Sequence, residues 1–257
     1  MRSKRRMETS TPIDHEMHTP EGVRERLSEP PRAGHLRDFI YGAIDGTVTT
    51  FAVVAGVEGA DLAASIVIIL GFANLIADGF SMAVSNFLAT RAELQQRALA
   101  RSQEEREITD IPEGEREEIR QIFAMKGFSG EELDHVVDVI TADPAVWVDT
   151  MMMEELGFSP ARQEPFRSAA ATFVAFIVVG FIPLSAFLLE IISPGRLAAP
   201  FFWSSIMTAG AFFTVGAFKS RFVAQRWWLS GLETLAVGGA AATLAYVVGT
   251  LLKNVAG

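Results

Sequence analysis

The chain has 257 residues and a net charge of −9, and 49% of its residues are apolar. It contains no cysteine, which excludes disulfides, cysteine-ligated zinc and iron–sulfur clusters. The acidic balance argues against nucleic-acid binding, which normally uses a basic face. Because the apolar residues are concentrated in long runs and the mean hydropathy is +0.27, we expect an integral membrane protein.

Five apolar runs are long enough to be transmembrane helices, since about 20 apolar residues cross a hydrocarbon core of about 30 Å. We predict an all-α fold with five spans, at 39–57, 62–90, 169–189, 197–218 and 229–252. The polar residues 1–35 are expected to form a disordered tail. Transmembrane helices 1 and 2 then occupy 36–91, and helices 3 to 5 occupy 167–257.

The basic residues predict the orientation of the spans, because Lys and Arg concentrate on the cytoplasmic side. The segments 1–38, 91–168 and 219–228 together hold 20 of the 22 Lys and Arg residues. We therefore expect these segments, including the N-terminus, in the cytosol and the C-terminus on the opposite side. The tail suggests no organelle address, so a bacterial plasma (inner) membrane is the expected location.

Residues 92–166, between the second and third spans, are predicted to form an acidic helical domain in the cytosol. They hold 18 Asp and Glu but only 7 Lys and Arg, a net charge of −11. The second span is expected to continue as a helix until Pro112 ends it. Further helices are predicted at 113–125, at 130–141 and from Asp143 to Gly157. Ser129 and Glu132 match a capping box at the start of the second of these.

Two aspartates, Asp45 and Asp78, lie inside predicted spans. A carboxylate at the centre of a bilayer costs about 2.5–3.5 kcal/mol on insertion scales, so it usually faces a pathway or a partner. The alternative is a neutral aspartate held by structural hydrogen bonds. Gly42 and Gly46 flank Asp45 and form a pair of small residues that permits close approach of another helix.

Four residues of the second span recur at intervals of four: Asn74, Asp78, Met82 and Asn86. Neighbours in this series share a helix face, because each step of four residues rotates by only about 40°. Carboxylate, amide and thioether groups on one face suit a borderline divalent transition metal. The alternative is that Met82 fills space in the core and the asparagines join helices by hydrogen bonds.

The acidic domain carries a second set of candidate metal ligands. Glutamates spaced three apart project to one side of a helix, and two such pairs occur on consecutive predicted helices. Carboxylate-lined helical bundles bind iron in this way. The alternative is an ordinary solvated acidic face, but surface methionines beside glutamates have no packing role. The candidate ligands are Glu104, Glu107, Glu115, Glu118, Glu155, Met151 and Met152.

Three motifs resemble the vacuolar iron transporter (VIT) family of iron and manganese carriers. Residues 38–56 read DFIYGAIDGTVTTFAVVAG, residues 79–83 read GFSMA, and residues 230–239 read SGLETLAVGG. The likeness covers roughly residues 36–252 and includes the glutamates and methionines of the acidic domain. Two positions depart from the family pattern. Ser85-Asn86 stands where the family often has Gly-Glu, and Asp78 stands where a small residue is more usual.

The resemblance implies a homodimer with five spans per protomer and an ion pathway along the dimer axis, between the first and second spans. It also implies export of cytosolic Fe²⁺ or Mn²⁺ in exchange for protons, with no permanently bound cofactor and no enzymatic activity. By position, Asp45 and Met82 are implied as pore ligands, and Asp38 as a residue at the cytoplasmic mouth. The glutamates and methionines above are implied as the cytoplasmic metal site.

Other hypotheses are a membrane-anchored ferritin-like protein that oxidises or stores iron, and a metal sensor without transport. A ferritin-like site would combine Glu with His on the insert helices, and the insert holds a single histidine, His135. We therefore favour transport. The choice between Fe²⁺ and Mn²⁺ stays open, because both ions accept oxygen-rich sites.

Overall fold

The computed structural model describes residues 19–28, 34–159, 164–223 and 225–256. Within these ranges the secondary structure is α-helical and no strand occurs, which confirms the all-α prediction. The helices are α1 (Pro20–Ser28), α2 (Leu36–Gly59), α3 (Ala64–Asp110), α4 (Pro112–Met125), α5 (Gly130–Thr141), α6 (Pro144–Glu154), α7 (Pro165–Gly180), α8 (Ile182–Ile192), α9 (Pro200–Lys219) and α10 (Trp227–Ala256).

Four of these helices, α2, α3, α9 and α10, are long and apolar enough to cross a membrane. Helices α7 and α8 meet the same criteria together, with a bend of 48° between them. They correspond to the third predicted span, which was expected as one helix. The break has a local cause: Pro183 cannot donate a backbone hydrogen bond to Val179, and its ring crowds that carbonyl group. The chain is an integral membrane protein with five spans if the bent pair counts as one.

Part of the tail that was predicted to be disordered is helical, so the prediction was wrong for α1. Pro20 lies in the first turn of α1, where a missing N–H group costs nothing. The Thr19 hydroxyl oxygen accepts a hydrogen bond from the Gly22 N–H group at 3.2 Å, which caps the helix. Residues 1–18 and 29–33 lie outside the described ranges.

The chain divides into two compact units. The membrane unit comprises Gly34–Gln103 and Gln163–Gly257, and the acidic unit comprises Glu104–Arg162 together with α1. The division falls within α3, which runs without interruption to Asp110. The boundary predicted at residue 91 therefore lies earlier on the same helix.

Helix α2 packs against α7, α8, α9 and α10, and glycines bring the backbones together. A methyl group added at Gly42 would lie 2.3 Å from a carbonyl oxygen of α7, and one added at Gly46 would lie 2.5 Å from another. A methyl group added at Gly59 or at Gly249 would meet the facing backbone of α10 or α2 at 2.3 Å and 2.1 Å. The close approach predicted at Gly42 and Gly46 is therefore made to α7 of the same protomer.

Helix α3 packs on the rest of the membrane unit mainly through side chains. The side chain of Leu184 lies over Gly71, and the ring of Phe176 lies over Gly79. Leu75 is buried in the same apolar core as these two side chains. Gly71 and Gly79 of α3 are therefore contacted by side chains and not by the backbone of a neighbouring helix.

The acidic unit has its own apolar core, formed by Ile119, Leu133, Val137, Trp147 and Met151. Ion pairs from arginines of α4 to aspartates of α5 hold these two helices together at the surface. The Asp143 carboxylate caps α6 by accepting a hydrogen bond from the Ala145 N–H group at 2.8 Å, as predicted. The capping box at Ser129 was wrong, because its side chain makes no capping hydrogen bond.

Candidate metal centre

Three glutamates of the acidic unit converge on one point. Carboxylate oxygens of Glu104, Glu107 and Glu115 lie within 4.8 Å of one another. Glu104 and Glu107 are three residues apart near the end of α3, and Pro112 starts α4 so that Glu115 lies in its first turn. Glu104 is 4% exposed and Glu115 is 2% exposed. The prediction that α3 and α4 bring their glutamates together agrees with this geometry.

The electrostatics of this cluster favour a cation. Burial, and then repulsion from neighbouring glutamates, raises the pKa of Glu104 and the pKa of Glu115 to about 7. One carboxylate oxygen of each residue is buried without a hydrogen-bond donor among the described residues. Buried acceptors that lack donors are unfavourable. A bound cation reduces the repulsion between the carboxylates and becomes the partner of the unpaired oxygens.

Two further glutamates lie at the edge of the cluster. Glu118 is exposed on α4, and Glu155 is exposed at the C-terminal end of α6. Partial burial of its carboxylate, followed by repulsion from Glu118 and Glu107, raises the pKa of Glu155. Both residues therefore lie close enough to the three central glutamates to interact with them electrostatically.

The three consecutive methionines have different environments. Met151 and Met152 are buried, whereas Met153 is 45% exposed. Met151 packs against Ile119 and Trp147 in the core of the acidic unit. The expectation that these methionines lie at the surface was wrong for Met151 and Met152, so their presence has a packing reason. Their role as ligands stays a prediction.

A ferritin-like site is not built on α5. Glu132 and His135 do have the Glu-x-x-His spacing of ferritin-like ligands. Both side chains are exposed, however, while Leu133 and Val137 form the buried face of the helix. Glu132 and His135 therefore point away from the bundle interior in which such ligands would have to meet.

In the membrane unit, Asp45 and Asp78 lie on adjacent helices, close enough for their carboxylates to repel each other. Asp45 is half-buried on α2 and Asp78 is exposed on α3. The Asp45 backbone carbonyl accepts a hydrogen bond from Thr49, but among the described residues nothing donates to its carboxylate. The alternative of an aspartate locked by structural hydrogen bonds within its own protomer is not supported for Asp45.

The other three members of the four-residue series, Asn74, Met82 and Asn86, have different environments. Met82 is half-buried and packs against the apolar core. Asn74 is half-buried, and its amide nitrogen has no partner among the described residues. Asn86, by contrast, is fully engaged in hydrogen bonds, as the alternative interpretation of the asparagines proposed.

Asn86 joins three helices at one end of the membrane unit. Its amide nitrogen donates to Asp38 Oδ1 on α2 at 3.1 Å, and to Thr172 Oγ1 on α7 at 2.7 Å. It also lies 3.3 Å from the Ser168 carbonyl oxygen, and its own carbonyl accepts from Thr90 at 3.4 Å. Asp38 is therefore held by Asn86 in this structure.

Ser168 and Thr172 were not predicted as partners of Asn86. Their spacing of four places two hydroxyl groups on one face at the start of an apolar helix, which is a usable signal. It does not reveal the partner, because Asn86 is distant in sequence. His35 belongs to the same group, with its Nδ1 atom 3.3 Å from the Ser168 hydroxyl.

Comparison with known proteins identifies the family. A model of the VIT family matches residues 36–250. The chain belongs to the VIT family. It is 34% identical to the vacuolar iron transporter of Toxoplasma gondii over 229 residues, which cover 87% of this chain and 76% of that protein. It is 31% identical to vacuolar iron transporter 1 of Arabidopsis thaliana over 220 residues, which cover 85% of this chain and 86% of that protein.

Another VIT family relative, vacuolar iron transporter 1 of Oryza sativa subsp. japonica, is 33% identical over 214 residues, with 82% of each chain covered. The resemblance read from the three sequence motifs is thereby confirmed. All three relatives are named as transporters, so VIT family membership indicates a transporter and not an enzyme.

Proposed function

We propose that this VIT family protein exports Fe²⁺ or Mn²⁺ from the cytosol in exchange for protons. The observation that carries the proposal is the convergence of the Glu104, Glu107 and Glu115 carboxylates, with one buried oxygen of Glu104 and one of Glu115 that accept no hydrogen bond among the described residues. The names of the relatives support iron as cargo, and oxygen-rich ligands accept Mn²⁺ as well.

The glutamate cluster is the proposed site at which metal is gathered from the cytosol. The net charge of −11 over 92–166 raises the local concentration of cations. Glu118 and Glu155 then supply further oxygens at the edge, and Met151 and Met152 are proposed to supply sulfur. Because Glu104 and Glu115 are partly protonated near pH 7, metal binding displaces protons from them.

Asp45 and Met82 are the proposed ligands of the membrane site, with Asp78 and Asn74 along the same pathway. Asp78 is exposed on the surface of a single protomer, and contact with lipid would cost about 2.5–3.5 kcal/mol. A second copy facing the Asp45 and Asp78 side of α2 and α3 would remove this cost. We therefore propose a homodimer in which carboxylates from both protomers neutralise a divalent ion.

Proton exchange follows from the chemistry of a carboxylate in a medium of low dielectric constant. Such a group binds a proton or a cation, and the state with neither is unfavourable. Metal release on the far side would then be accompanied by proton uptake, and the proton would be returned to the cytosol. Asp38 is proposed to lie at the cytoplasmic mouth, where its hydrogen bond from Asn86 fixes its position.

The orientation proposed here has the acidic unit in the cytosol, and it rests on the asymmetric distribution of Lys and Arg. The relatives named above are from eukaryotes. The bacterial plasma membrane therefore stays a prediction from the sequence.

Transport by purified protein in liposomes tests the proposal. With an imposed pH gradient, Fe²⁺ and Mn²⁺ flux is expected for the native chain and is expected to be abolished in Asp45→Asn, which keeps the shape of the side chain but not its charge. Glu58→Gln is the matched control, because Glu58 is exposed at the end of the same helix. Unchanged flux in Asp45→Asn would show that Asp45 is not a pathway residue. Flux that does not change with the pH gradient would refute proton coupling.

A further inference from the structure

An apolar groove runs between α3 and α7 on the surface of the membrane unit. Its volume is about 380 Å³, and its lining exposes no polar surface. Four phenylalanines form most of its walls, Phe80 and Phe87 from α3 and Phe166 and Phe173 from α7, and small side chains form the floor. A groove of this composition excludes water and accepts only an apolar occupant.

The groove lies on the side of α3 that faces away from the proposed ion pathway. At about 100° per residue, Phe80 and Phe87 are both rotated by roughly 180–200° from Asp78 around the helix axis. In the homodimer proposed above, a second copy that covers Asp78 therefore leaves this groove facing the bilayer. Phe80 is 64% exposed, so the groove is open to a molecule arriving from the membrane.

A cation lies beyond one end of the groove. Arg91 follows Phe87 by four residues, so it continues the same face of α3 one turn further. It is the first charged residue after the apolar run that ends at residue 90, so we expect α3 to leave the hydrocarbon there. Arg91 is exposed, and its side chain makes no ion pair or hydrogen bond within the described part of the chain.

We propose that this groove binds an anionic phospholipid, with one acyl chain against the four phenylalanines and its phosphate paired with Arg91. An amphiphile with an anionic head and an apolar chain matches both the sign of the charge and the composition of the groove. An extended polypeptide segment fits less well, because the lining offers no hydrogen-bonding group for its backbone. The bound chain would support α3 from the side opposite to Asp78.

A fluorescent label in the groove provides the test. The chain has no cysteine, so Val84→Cys introduces a unique attachment site on the groove wall. The full-length protein is reconstituted with phosphatidylglycerol or phosphatidylcholine whose acyl chains are brominated, and quenching gives the relative association of each lipid. We expect phosphatidylglycerol to be preferred by about fivefold, because this is the effect of one cation near anionic headgroups. A label at Leu244→Cys, on the exposed face of α10, should show no such preference.

The Arg91→Gln variant is expected to abolish the preference at Val84→Cys, and Arg91→Lys to retain most of it. Arg221→Gln, which removes another exposed arginine of the membrane unit, should leave it intact. Equal association of the two lipids, or a preference that survives Arg91→Gln, would overturn the proposal. A label shielded from both lipids would mean that protein covers the groove, and would overturn it as well. Because no transport is measured, these outcomes are independent of the proposed export of metal.

Discussion

Metal binding to the glutamate cluster is expected to depend steeply on pH. The pKa values of Glu104 and Glu115 are raised to about 7. A carboxylate with this pKa is roughly 90% protonated at pH 6 and roughly 10% protonated at pH 8, so competition from protons weakens binding about tenfold per group at the lower pH. Two such groups weaken binding by roughly 100-fold, and coupling between them spreads the change over a wider pH range.

Calorimetry of the full-length protein in detergent measures this effect. Mn²⁺ is titrated in two buffers that differ in ionisation enthalpy, which gives the number of protons released on binding. Release of nearly two protons is expected at about pH 6 and of about one proton at about pH 7. Glutamates with an ordinary pKa near 4.3 would release almost none at either pH.

Two variants make the measurement specific. Glu104→Gln removes one of the two groups, so fewer protons should be released and the affinity should depend less on pH. Glu117→Gln is the control, because Glu117 is an exposed residue of α4 that lies 3.5 Å from Arg120. An affinity for Mn²⁺ that changes less than about twofold between pH 6 and pH 8 would refute the reasoning.

Two further predictions concern stability. Without metal, Glu104 and Glu115 should contribute most to the free energy of unfolding of the acidic unit below about pH 4.5, and this contribution should fall as the pH rises through about 7, because both groups must then ionise in a buried site. Thermal unfolding measured over this range should show the trend and Glu115→Gln should reduce it, whereas stability that rises with pH would contradict it. Gly46→Ala should destabilise the membrane unit by about 1–3 kcal/mol, since the added methyl group would lie 2.5 Å from a carbonyl oxygen of α7. Gly239→Ala is its control, with no atom within 4 Å of the added group, and equal melting temperatures for the two variants would argue against the tight α2–α7 contact.

The spans and the helices of the acidic unit were predictable because their signals are local. Apolar runs fix the spans, and proline at the start of α4 and α6 fixes where those helices begin. The convergence of Glu104 and Glu115 was also predictable, since a short turn at Ile111 joins the two helices that carry them. The bend at Pro183 had a local signal too, but a long apolar run concealed it.

Contacts between residues distant in sequence were not predictable from the pattern. Asn86 was assigned to the pathway face because it continues a series of four, whereas in the structure its amide is used to join α2, α3 and α7. Met151 was taken for a surface residue because its neighbours are acidic, yet it packs in one core with Ile119 of α4 and Val137 of α5. In both cases the partner decides the role, and the partner is supplied by another helix.

The glycine contacts of α2 determine which helices of the membrane unit are free to move. Backbone-to-backbone contact with α7 at Gly42 and Gly46, and with α10 at Gly59, holds α2 closely against both helices. Helix α3 rests on interdigitated side chains, which can change rotamer at a smaller energetic penalty. In the proposed transport cycle we therefore expect α3 to be displaced, while α2 holds Asp45 in place.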